Sequence, residues 1–129
     1  MVAFNIFKKD DLPEKIILIY TTYKYLSDIY SKIADDDNIK NSLAMTLLLI
    51  KYADIEKRML ELHHIFGYSN DYEAYNDMIM DPSKIDKKII RKIKHQTSKA
   101  WINTLCDDIC RVQYAMVTIF SDYKKIKEE

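Results

Sequence analysis

His63 and His64 stand side by side a few residues ahead of Gly67, the one glycine in 129 residues. Imidazole can carry a phosphoryl group, bind a metal or move a proton, so the stretch HHIFGYS is the first place to look for chemistry. With Glu61, His64 also completes E-x-x-H, the spacing by which helical bundles present di-iron ligands. That reading requires both ligands to point inward. Counted at about 100° per residue, Glu61 and His64 fall opposite the apolar stripe of their helix, and the chain holds no second E-x-x-H. Cys106 and Cys110 are four apart on one helix, but no third cysteine or nearby histidine completes a zinc set. They read as small core residues, and neither a metal nor another cofactor is expected.

The segment from His63 to Ser69 resembles the H-x-x-K-G-x-S motif of histidine phosphotransfer domains at His63, Gly67 and Ser69. The resemblance covers those seven residues and implies a four-helix bundle with an exposed, phosphorylatable His63. Phe66 occupies the position where that family has a lysine. A second account of the stretch needs no reaction. Glycine adopts the left-handed conformation that ends a helix, and histidines in the last turn suit the negative end of its dipole. The expectation is a helix cap, with phosphotransfer through His63 as the enzymatic alternative to a protein without catalysis.

A third feature is electrostatic. KIDKKIIRKIKHQTSK, residues 84 to 99, carries seven lysines or arginines against one aspartate. Lys84, Lys88, Arg91, His95 and Lys99 fall within an arc of about 80°, with Lys92 beside them, while Ile85, Ile89 and Ile93 face away. Such a face can be solvated, can meet an acidic protein, or can neutralise the phosphates of nucleic acid. Asp71, Glu73, Asp77 and Asp81 precede it and could shield it within the molecule.

Composition bounds what these features can serve. Twenty basic and twenty acidic side chains cancel, which excludes a wholly basic nucleic-acid binder but leaves room for a local patch. A single glycine rules out Walker and dinucleotide loops. Two cysteines are too few for a disulfide scaffold, the first residues lack the order of a signal peptide, and no apolar run reaches the roughly 18 residues of a membrane span. A cytoplasmic protein without membrane association is expected. This isoleucine- and lysine-rich composition would suit a small accessory protein of a virus or mobile element with an AT-rich genome.

The elements that must carry these residues follow from apolar spacing. Scarcity of glycine and proline, with 48 % apolar residues, predicts one all-α domain over 1–129. Residues 1–11 form an N-terminal extension and 124–129 a charged C-terminal tail. A first helix starts at Asp11–Pro13, follows the stripe Leu12, Ile16, Ile19, Tyr23, Leu26, Tyr30 and Ile33, and ends near Asp35. A second, capped by Asp37 or Asn38, has the stripe Ala44, Leu48, Ile55, Met59, Leu62 and Phe66, with Tyr52 or Lys51 filling its gap. Residues 69 to 77 read as a loop or short helix, and a new helix begins at Asp81–Pro82. The stripes of Ile85–Ile93 and of Trp101, Leu105, Ile109, Val112, Met116, Ile119 and Tyr123 lie about 150° apart, which predicts a break at His95 to Ser98 with Thr97 or Ser98 as cap. The result is an antiparallel bundle of three long helices plus one or two shorter ones.

Apolar residues are left over. Leu43, Leu47 and Ile50 on the second helix, Ile17, Tyr20 and Ile29 on the first, and Val117 and Phe120 on the last fall off the core stripes. They predict a non-enzymatic interaction module that covers this surface with a protein partner or with itself, as a homo-oligomer.

Overall fold

In the computed structural model, which describes residues 11–128, the chain is all α and contains no strand among the described residues. Residues 1–10 of the N-terminal extension lie outside them. Three long helices, α1 (Leu12–Ala34), α3 (Leu43–Phe66) and α6 (Lys99–Glu128), form the bundle. The shorter α2 (Asp37–Lys40), α4 (Asp71–Met78) and α5 (Lys87–Gln96) join them, with a 3-10 turn at Pro82–Lys84. The charged residues from 124 continue α6 to Glu128 instead of leaving it as a separate tail.

Local chemistry accounts for the boundaries. Pro13 sits in the first turn of α1, where its missing N–H costs nothing. The Asp11 side chain, expected to cap, makes no cap hydrogen bond; it lies 3.9 Å from Lys15. After α1, two caps follow in quick succession. Asp36 accepts from the Asn38 N–H and starts the one-turn α2, and Ser42 then accepts from the Met45 N–H and starts α3. The long second helix therefore begins at Leu43, not at the aspartates. The intervening turn buries Ile39.

Ser98 accepts from the Trp101 N–H at 3.0 Å, so the expected break is real and α5 and α6 are separate helices. The start at Asp81–Pro82 yields only the 3-10 turn; α5 has its own cap, Asp86, which accepts from the Ile89 N–H at 3.0 Å.

Side-chain pairs fix the topology. Tyr20 meets His63 and Ser27 meets Tyr52, so α1 and α3 run antiparallel. Lys15 donates to Asn103, and Tyr123 donates to Asp36 at 3.2 Å, so α6 runs parallel to α1 and antiparallel to α3. Arg58 ties α3 to α6 through Asp108 at 2.8 Å.

The buried α1 stripe packs with Ile55, Met59 and Leu62 of α3 and Leu105, Ile109 and Met116 of α6 in one core. In the first turn of α3 the core residue is Met45, while Ala44 is exposed; Tyr52, not Lys51, bridges to Ile55. No helix among the described residues is long and apolar enough to cross a membrane.

Candidate functional site

Gly67 ends α3 with φ +82°, the left-handed conformation that a side chain resists. Its N–H donates to the His64 carbonyl at 3.1 Å and the Tyr68 N–H donates to the His63 carbonyl at 2.9 Å, the paired pattern of a Schellman cap. The cap reading of HHIFGYS holds. The turn then folds α4 back against the bundle, capped by Asn70, which accepts from the Glu73 N–H at 2.9 Å.

That return corrects the exposure expected of His63, which is only 2 % exposed. Its Nε2 donates to Asp71 Oδ1 at 2.6 Å, leaving Nδ1 to accept from the Tyr20 hydroxyl at 3.0 Å. The Tyr20 and His63 rings stack with centroids 5.5 Å apart. Burial, with the nearby Tyr68 and Asp71, pushes the Tyr20 hydroxyl well above its ordinary pKa and keeps it a donor. Both imidazole nitrogens are thus committed inside the fold, and no lone pair faces an incoming phosphoryl group. The phosphotransfer geometry implied by the resemblance is not present.

The other candidate ligands do not converge. Glu61 and His64 are exposed, Cys106 is buried and Cys110 partly so, both as free thiols. Burial, followed by the neighbouring Cys110, raises the Cys106 thiol to about 11. Among the described residues no three His, Cys, Asp or Glu side chains cluster as a cation site.

Two surfaces remain. The first lies on α3, where Leu43, Leu47 and Ile50 are 80 %, 61 % and 64 % exposed. At about 100° per residue they lie within about 60° of one another and opposite the arc of Met45, Tyr52 and Ile55. The rest of the expected surplus is largely accounted for inside the bundle. Tyr20, fully buried against His63, is a core residue and is corrected as an interface candidate; Ile29 is buried as well. Val117 and Phe120 are half-buried against the core, and Ile17 is half-buried. Sequence spacing did not single out Leu18 and Tyr25, both about half exposed on the outer side of α1. Their separation by seven residues, off the core stripe, was the available signal.

The second surface is α5. Ile93 is buried and Ile89 and Ile90 half-buried, which turns Lys88, Arg91, Lys92 and His95 outward, flanked by exposed Lys84 and Lys99. The acids expected to shield this face have other partners. Asp71 accepts from His63, Glu73 from the Ser69 N–H, Asp77 from the Tyr68 hydroxyl and Asp81 from Ser83. None of the six basic residues forms an ion pair among the described residues. Comparison with family models, curated proteins and solved structures finds no match.

Proposed function

We propose that this protein is a non-enzymatic helical interaction module that associates with a second copy of itself through the Leu43–Leu47–Ile50 face of α3. The observation that carries the reading is that three large aliphatic side chains stand in water on one stripe, directly opposite the core. Their four-then-three spacing is that of a helix–helix seam. Such a seam is self-complementary under a two-fold axis, because two antiparallel copies of the stripe interlock without needing a different partner surface. Exposed Thr46 and Lys51 flank it and supply a polar rim, and exposed Asp54 closes its C-terminal end.

Magnitude sets the character of the contact. Each aliphatic side chain fully buried contributes about 1.5–3 kcal/mol, and association must offset the loss of translational and rotational freedom. Six such side chains across a pair support a reversible, concentration-dependent association. A reducing, cytoplasmic setting fits the two unpaired thiols.

The test is light scattering with circular dichroism on Leu47→Glu and Leu43→Glu/Ile50→Glu. Smaller particles with unchanged helicity are expected. Loss of helicity would instead make these positions part of the folded core.

A further inference from the structure

The cationic face of α5 calls for a different occupant, and we infer that it binds the phosphodiester backbone of nucleic acid without reading base sequence. The helix retains a charge pattern that works against its own stability. Lys87 and Arg91, Lys88 and Lys92, and Arg91 and His95 are spaced i, i+4, which sets basic side chains one above another. No acidic residue stands between Asp86 and Asp107, and Asp86 is occupied in capping the helix. A polyanion would relieve the repulsion among Lys87, Lys88, Arg91, Lys92 and His95, none of which forms an ion pair among the described residues.

The chemistry of the face selects among polyanions. Insertion into a membrane surface would require the apolar side of the helix, and that side is turned into the bundle through Ile89, Ile90 and Ile93. An acidic protein interface would need an aromatic or aliphatic anchor among the charges, since lysine-rich surfaces lacking one are poor interface cores. Between Lys87 and Gln96 every residue outside the isoleucine side is polar or basic. Phosphate neutralisation needs no such anchor; it proceeds by release of condensed counterions. Lysine also predominates over arginine here, which supplies point charges for phosphates rather than forks for guanine edges. Ten residues span about 15 Å along the helix axis, room for several phosphates of one groove edge.

The experiment is fluorescence anisotropy of the full chain with a labelled mixed-sequence DNA duplex. Binding is expected in the range of about 1–100 µM at moderate salt, where sequence-independent contacts typically fall. With about five phosphates neutralised, affinity should drop on the order of 500-fold between 50 and 200 mM salt. Scrambling the duplex sequence should leave affinity unchanged. Lys88→Glu/Arg91→Glu/Lys92→Glu should weaken binding at least tenfold with helicity intact, and Lys88→Gln/Lys92→Gln should fall between it and the parent. Leu47→Glu should still bind the duplex, with the same steep loss on adding salt, so that failure of this inference is distinct from failure of self-association. Absence of binding at low salt, equal binding by both charge variants, or tighter retention on phosphatidylserine vesicles or polyglutamate than on the duplex would overturn the inference.

Discussion

The Nε2 of His63 donates to Oδ1 of Asp71 at 2.6 Å across the turn made by Gly67. Through that contact the last turn of α3 holds the first turn of α4, and Tyr20 extends the connection into α1. The residue most suggestive of catalysis is thus a fastening between three helices. His63→Leu should cost about 1–3 kcal/mol in urea unfolding, because it strands the buried Tyr20 hydroxyl. Asp71→Asn, whose amide oxygen can still accept, should cost less. A phosphoryl donor should leave His63 of the native chain unlabelled.

Gly67→Ala tests the cap without confusion from packing. A Cβ built there meets nothing within 4 Å, so the whole effect comes from the left-handed backbone. The expected loss is about 1–2 kcal/mol, read as a lower urea midpoint with an unchanged slope.

Thiol reactivity separates the two cysteines. With the Cys106 thiol raised to about 11 by burial, the thiolate is about a thousandth of the population at pH 8. Cys110 should therefore react first with a disulfide reagent. Cys106 should follow at the rate of unfolding and match Cys110 only in denaturant.

Ser98→Ala removes the hydroxyl that separates α5 from α6. The expected cost is about 1 kcal/mol, with amide exchange accelerated in the first turn of α6.

Much of the bundle was legible because its helices repeat one arrangement over many turns. The stripes of α1 and α6, the Gly67 cap and the Ser98 break all rest on local spacing or on residues with special backbone demands. Where several residues could play the same part, local reading went astray. Asp36, Asp37, Asn38 and Ser42 can all cap, and only the folded chain shows that Asp36 and Ser42 do. Tyr20 was missed because α4 and α6 pack on α1 while His63 of α3 stacks on Tyr20 itself, so the buried arc of α1 is wider than a two-helix seam. His63 was misplaced for a related reason: its cover is α4, and nothing in the period of α3 reports a helix returning across a turn. The basic face of α5 was visible in sequence, but its freedom from internal pairing depends on where the neighbouring acids point.

Self-association as proposed puts Leu43, Leu47 and Ile50 under a second copy of the chain. Sedimentation equilibrium across a hundredfold range of concentration tests it most directly, with the parent and Leu47→Glu run side by side. The mass of the parent should rise from 15.3 kDa toward twice that value, and the variant should stay at the lower mass with the same helicity. A parent that stays at the monomer mass throughout, or a variant that associates as the parent does, would contradict it.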